Sequence, residues 1–279
     1  VKIDIITSFY NDLHKFNWKD DCYRLIEPDS TLDFKVYRKD DSLDIFSKEI
    51  SVIDGFINIP NIGRCDYAFL LHIVNNYENL SDINIFTKIN WADQNNDFFS
   101  LVADSRYFDF CDVGDTPELQ IWDTGIIERG CEKYMQESGL NGKNYQCIDF
   151  RKNKKNEFYY SGTGADYIED WYSYIFKDVN TPDLFWSWSH GPCFSVSRDL
   201  IRRHKKEVYE YLLSRFLPTS GSWDPVSGRS IMSSAKGRDV SDKEVMDDVA
   251  HHYHDSLLRF WRVLFTHNID KDKFKIKIN

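Results

Sequence analysis

Residues 2–7, KIDIIT, alternate between apolar and polar positions and are dominated by isoleucine, which predicts a first strand. A polar turn, Ser8-Phe9-Tyr10-Asn11-Asp12, is expected at its carboxyl end. DFKVYR over 33–38 predicts a second strand, closing in Lys39-Asp40-Asp41. Tyr67, Leu70, Leu71, Val74 and Tyr77 recur at helical spacing and give residues 67–77 one apolar face. Ile83, Ile85 and Phe86 then mark a third strand, NIFTK. Strand, turn, strand, turn, helix, strand is the order of an α/β domain with a mostly parallel central sheet flanked by helices.

The second half of the chain is patterned less regularly. Residues 95–135 predict short helices and turns, with DFCDVGDTPE as a loop. Residues 151–166, RKNKKNEFYYSGTGAD, are polar and predict an exposed loop or insertion. PCFSVSR over 192–198 predicts a short strand, with Ser197 capping a helix over 198–216 and Asp199 near its positive end. Residues 218–241 are rich in Gly, Pro and Ser and predict a long mobile loop, of the kind that serves as a lid. A last helix over 242–265 ends in FWRVLF. No repeat or linker splits the chain, so one domain over 1–279 is expected, in two halves, 1–110 and 111–279.

Composition narrows the function classes. A hydrophobic fraction of 42% and an aromatic fraction of 16% supply a large core. The net charge of −10 argues against a nucleic-acid duplex as partner. No apolar run approaches the roughly 20 residues of a membrane helix, so no membrane insertion is expected. The first residues read as a strand rather than a signal peptide, and the expectation is a soluble, cytoplasmic protein. Cys22, Cys65, Cys111, Cys131, Cys147 and Cys193 contain no CxxC pair and are expected to stay reduced.

In an open α/β sheet, ligands bind at the carboxyl ends of the strands. Three polar turns fall there: Thr7–Asp12, Arg38–Asp41 and Asn61–Asp66. Gly63 lets backbone approach a ligand, and Arg64 sits at a helix start, where N–H groups and the dipole favour an anion. The plainer reading is a turn shaped by Pro60 and Gly63 with Arg64 in solvent. His190 lies beside the Gly191-Pro192 turn, at the rim of a strand–helix unit that is equally well purely structural. His251, His254 and Asp255 share a helix face, but no further cluster has the spacing to complete a zinc site. Trp186 and Trp188 beside a glycine turn suit a carbohydrate platform, although aromatic residues more often fill cores. Asp109 with Asp112, like the other acid pairs, reads as a solvated face. The D-x-D element with which many nucleotide-sugar enzymes hold a divalent metal does not follow the third strand, where Thr87-Lys88-Ile89-Asn90-Trp91-Ala92-Asp93 stands. Use of Mn or Mg is therefore left open, and Lys88 or Arg64 could neutralise phosphate directly.

Taken together, these motifs resemble a glycosyltransferase-like family carried as a domain of unknown function in fungi, plants, algae and large DNA viruses. Its P-N-x-G-R matches Pro60, Asn61, Gly63 and Arg64. Its following helix matches His72, Ile73, Asn76, Tyr77 and Leu80, and its next strand ends at Phe86. Phe194, Val196, Ser197, Arg198 and Ile201 match its F-x-V-S-R-x-x-I pattern, and Arg259, Trp261, Leu264 and Phe265 its terminal R-x-W-x-x-L-F. Two positions depart: Leu258 replaces a glutamate, and Lys88-Ile89 replaces Gln-Gly.

The resemblance implies a GT-A-like, Rossmann-like fold and transfer of a sugar from a UDP-sugar donor to a glycan acceptor. Its narrower implication is xylose, from UDP-xylose, in the synthesis of viral glycoprotein glycans. Thr7, Ser8, Phe9, Tyr10, Asn11, Asp40, Asn61, Gly63, Arg64 and Lys88 are then the donor-binding candidates. Trp186, Trp188 and Trp223 are the acceptor candidates. For an inverting mechanism the base candidates are Asp248 and Asp255, with His190 at the rim. The alternative is a non-catalytic glycan- or nucleotide-sugar-binding module of the same fold; a nucleotide-sugar hydrolase is a third reading.

Overall fold

The structure is a computed structural model. It describes residues 1–11, 13–43, 51–62, 64–90, 97–113, 145–149, 175–176, 185–189, 193–214, 216, 257, 260–262, 264–266 and 274–276. Its strands are β1 (Lys2–Phe9), β2 (Thr31–Asp40), β3 (Ser51–Ile53), β4 (Phe56–Pro60), β5 (Ile83–Lys88), β6 (Phe110–Asp112), β7 (Tyr145–Asp149), β8 (Phe185–Ser189), β9 (Phe194–Ser197) and β10 (Phe274–Ile276). Its helices are α1 (Lys19–Leu25), α2 (Arg64–Asn76), α3 (Asp97–Asp104), α4 (Arg198–Ile201) and α5 (Lys206–Ser214).

Eight strands form one sheet in the order β10-β6-β9-β5-β1-β2-β4-β3, and β7 pairs with β8 in a separate ribbon. β4, β2, β1 and β5 run parallel to one another. β9 runs antiparallel to both β5 and β6, β3 antiparallel to β4, and β10 parallel to β6. The expected parallel sheet is thus its inner quartet, and the sheet as a whole is mixed. β1 is central because it is buried on both faces from Ile3 to Phe9.

Each face carries its own core. Ile6, Tyr37, Ile59, Phe86, Phe110, Phe194 and Val196 pack under α2, α5 and the helical residues Leu257, Phe260, Trp261, Leu264 and Phe265. Ile3, Ile5, Ile83, Ile85 and Cys111 pack on the opposite side against Trp18, Cys22 of α1, and Phe98, Leu101 and Val102 of α3. The result is a three-layer α/β/α arrangement.

Four expectations about elements are corrected. Ser8 and Phe9 continue β1 rather than forming a turn, and Lys39-Asp40 continue β2. Residues 51–60, for which no element was expected, form a hairpin around Asp54 (φ 54°) and Gly55 (φ 80°), the left-handed pair that a tight turn between twisted strands requires. Phe110–Asp112, expected in a loop, pairs with β9 and β10. The helix expected over 198–216 is two helices, although Ser197 does cap the first, its Oγ accepting from Leu200 N at 3.2 Å. The break has a cause: the carbonyls of Ile201 and His204 accept from the hydroxyls of Tyr209 (2.8 Å) and Tyr77 (2.5 Å), and Arg202 turns out to the carbonyls of Tyr77 and Glu78. The insertion at 151–166 and the lid at 218–241 lie outside the described residues.

Candidate functional site

From β1 the chain moves to β2 and β4 on one side and to β5 on the other, so the strand order reverses between β1 and β5. A crevice outside the carboxyl ends of the strands at such a switch point is where open α/β sheets take their ligands. Ser8 is level with Lys88 on β5 and with Tyr37 on β2. In-register residues of parallel strands face the same side, and every second residue along a strand does too, so Ser8, Lys88 and Lys39 all emerge on the α2 face. Lys39 is only 7% exposed, and its ammonium donates to the carbonyl of Ile62 at 2.7 Å.

α2 leaves the end of β4 and begins at Arg64, so its first turn stands over this edge with its positive dipole end toward the crevice. Burial, with the Asp66 carboxylate adding to it, pushes the Cys65 thiol up to about 12, while the Lys88 and Lys39 ammoniums pull the other way. The Lys39 ammonium, held on the carbonyl of Ile62, lies just before the start of α2. Asp66 itself is buried and accepts from the indole Nε1 of Trp261 at 2.7 Å. On this face the carboxyl edge carries Lys39 and Lys88 at strand ends and Asp66 in the first turn of α2.

The rim is built from the ends of three strands. The hydroxyl of Tyr10, beyond β1, donates to Asp41 Oδ2. Asn61 Nδ2, beyond β4, donates to Asp41 Oδ1 at 3.0 Å. Asp40, at the end of β2, accepts from the backbone N of Ser42 (2.8 Å) and from its hydroxyl (2.6 Å), which holds its carboxyl below the usual range. Exposed Tyr10 and Asp41 and half-buried Asp40 thus lie around the buried Ser8 and Lys39.

Of the donor-binding candidates, the structure brings Ser8, Tyr10, Asp40, Asn61 and Lys88 to one edge, with exposed Asn11 just beyond. Strand alternation turns Thr7 and Phe9 to the opposite face. Thr7 is fully buried, and Phe9 packs edge-on against Phe56 at 5.3 Å and beside Val36 and Ile89. Those two residues underlie the edge rather than line its α2 side. The backbone of Arg64 opens α2, and those of Trp186 and Trp188 lie in β8. Gly63, His190, Trp223, Asp248 and Asp255, and the His251–Asp255 cluster, lie outside the described residues.

Sequence reasoning missed Lys39, which sits two residues past Tyr37 on the buried face of β2. That spacing was the available signal. It also missed two clamps. One joins Trp261 to Asp66. In the other, Arg262 donates from Nε to Asp112 Oδ2 (2.8 Å) and from Nη2 to Oδ1 (2.7 Å). Asp112, expected on a solvated face, is 3% exposed. Nothing local to Asp112 announces a partner so far along the chain.

Most of the motif residues prove to be structural. His72 Nδ1 meets the Tyr37 hydroxyl at 3.0 Å, Asn76 donates to the carbonyl of His72, and Arg198 pairs with Asp82 at 2.9 Å. Phe194, Val196, Trp261, Leu264 and Phe265 are core. Among the described residues no group of three or more His, Cys, Asp or Glu side chains is placed to hold a metal, and no helix is long and apolar enough to cross a membrane.

No curated protein matches the chain. A family model described as "Protein of unknown function (DUF3431)" matches residues 15–235, well over half of it, and the chain belongs to that family.

Proposed function

We propose that the protein is a glycosyltransferase of GT-A-like fold that moves a sugar from a nucleoside-diphosphate sugar, UDP-linked, to a glycan hydroxyl. The observation that carries this reading is the switch-point crevice between β1 and β5, with Lys39, Ser8 and Lys88 on one face beneath the first turn of α2. That edge supplies positive charge where a diphosphate leaving group gathers negative charge. Tyr10 offers an exposed ring for a base, and the Asp40–Asp41 rim offers acceptors for ribose hydroxyls. Asp248 and Asp255 remain the candidates for the acceptor base, His190 for the rim, and Trp186, Trp188 and Trp223 for the acceptor platform. Xylose as the sugar and a viral glycan as the product rest on the sequence resemblance alone.

One observation favours the non-catalytic module instead. Asp40, Asp41, Asp66 and Asp112, the acids of the described edge, each already hold hydrogen bonds, and none stands ready as a base. A panel of UDP- and GDP-sugars, assayed for release of nucleoside diphosphate with and without glycan acceptors, separates the readings. A transferase releases UDP slowly from one donor and faster with acceptor. A hydrolase releases it fast regardless of acceptor. A binding module shows a ligand-induced melting shift and no release. Arg64→Ala, at the start of α2, is expected to lose turnover with the fold retained; an unfolded variant would support a purely structural turn.

A further inference from the structure

We propose that Arg38 is an oxyanion-binding residue of the carboxyl edge: Asn58 holds its Nε, and its two terminal nitrogens receive a phosphate or carboxylate group of a bound ligand as a fork. Any acidic ligand of this edge meets the same fork, whether or not it is a sugar nucleotide.

Arg38 on β2 is in register with Phe9 at the end of β1 and with Asn58 on β4. Strand alternation turns it away from the face of Lys39 and onto that of Phe9. There Phe9 and Phe56, on the strands either side of β2, meet edge-on at 5.3 Å and pack with Val36. Arg38 is the next residue on this face after Val36 toward the carboxyl edge, and it is half-buried. It therefore stands at the outer border of the apolar cluster.

Its partner is neutral. Asn58 is 2% exposed, and its Nδ2 donates to the carbonyl (3.2 Å) and the hydroxyl (3.3 Å) of Ser51 on β3. Those bonds orient the amide so that Oδ1 faces Arg38, whose Nε donates to it at 2.6 Å. A guanidinium held at Nε is fixed in place and still offers the terminal nitrogens of its fork. A neutral amide leaves the charge uncompensated. Arg24, Arg106, Arg198 and Arg262 each pair with a carboxylate. Arg38 has no ion pair among the described residues, and its terminal nitrogens have no hydrogen bond there. Asp40, the next residue on its face, is tied to the backbone N and hydroxyl of Ser42. A half-buried cation loses hydration, and an arriving oxyanion offsets that loss with two charge-assisted bonds.

The test starts from the wild-type full chain and phenylglyoxal, which condenses with the terminal nitrogens of accessible guanidiniums. Adducts are mapped by peptide mass spectrometry at fixed ionic strength, with inorganic pyrophosphate or D-glucuronate as probe. Arg38 is expected to react in the free protein and to be protected by at least one probe, while exposed Arg24 stays reactive. Protection by pyrophosphate alone names a phosphate as the group bound, and protection by glucuronate alone names a carboxylate. An Arg38 that never reacts, or that neither probe protects, overturns the site. Arg38→Gln separates binding from a structural role, because its Nε2 takes the place of the arginine Nε and keeps a donor for Asn58 while the fork is lost. Its circular dichroism spectrum and melting temperature are expected to stay close to those of the wild type. Calorimetric affinity for the protecting probe is expected to fall by about tenfold or more, the effect of losing hydrogen bonds to a charged group. Unchanged affinity overturns the assignment. If the variant does not fold, protection of the wild type decides alone. The nucleoside-diphosphate release assay above is unaffected by either result, so failure here and failure of the transferase reading are distinguishable.

Discussion

His72 shows how one buried side chain ties sequence to stability. Its ring is 1% exposed, and the Tyr37 hydroxyl and Asn76 Nδ2 approach Nδ1 at 3.0 Å and 3.4 Å. Burial, helped by the Lys35 charge, lowers its pKa from 6.5 to about 3. The sign follows. Between these values the unfolded chain binds a proton that the folded chain refuses, so stability falls as pH drops below 6.5, at a limiting slope of about 1.4 kcal/mol per pH unit. His72→Gln is expected to flatten this acid limb in urea titrations; an unchanged slope would assign the limb to other groups. Asp4 has the opposite sign. Burial raises its carboxyl above 3.8, so the stability it contributes is complete below 3.8 and lost as pH rises through the raised value. Asp4 Oδ1 and Asn84 Oδ1, on residues paired across β1 and β5, are both buried acceptors without a hydrogen-bond donor. Asp4→Asn supplies a donor and removes the charge, and is expected to stabilise the protein at pH 7 by on the order of 1 kcal/mol, with the gain shrinking in acid. A loss of stability at pH 7 would contradict the burial cost assigned to the Asp4 carboxylate.

Among elements, the helical positions 260–262 and 264–266 are the ones whose role the local pattern conceals. Trp261 and Arg262 pin this segment to the first turn of α2 and to the end of β6, the two elements that frame the crevice on its α2 face. Trp261→Phe keeps the ring but leaves a buried carboxylate oxygen without its donor, an expected cost of about 1–3 kcal/mol. Arg262→Met strands the Asp112 carboxylate in the core, an expected cost of about 3–5 kcal/mol, and Asp112→Leu placed on top of it should restore much of the loss. Denaturant midpoints of the two single variants and the double variant test this; strict additivity would contradict a coupled pair. β1, β5 and α2 were legible because isoleucine-rich alternation and an apolar helical stripe are strong local signals. The β3–β4 hairpin was equally legible, since Asp54-Gly55 between apolar runs is a strong turn signal, and it went unread. β6 was not legible: three residues carry no period, and only pairing with β9 and β10 makes them a strand. The split of α4 from α5 involves two tyrosine hydroxyls, one of them on Tyr77 far upstream, and the apolar pattern of 198–216 does not announce it.

For the whole molecule, the topology decides more than any motif. The sequence pointed to the strand ends as the ligand-binding edge, and the structure brings Ser8, Tyr10, Asp40, Asn61 and Lys88 together there from four strand ends. Which side of each strand a residue takes was settled only by register, which is why Thr7 and Phe9 were grouped with Ser8 and why Lys39 was passed over. The central claim is that the carboxyl edge at the β1/β5 switch point binds a nucleoside diphosphate. Hydrogen–deuterium exchange with and without saturating UDP tests it most directly. The account predicts protection confined to peptides covering 7–12, 38–43, 60–68 and 86–90, and absent from the amino edge around Asp4, Ser81 and Asn84. Protection centred on that amino edge, or no change anywhere, would contradict it.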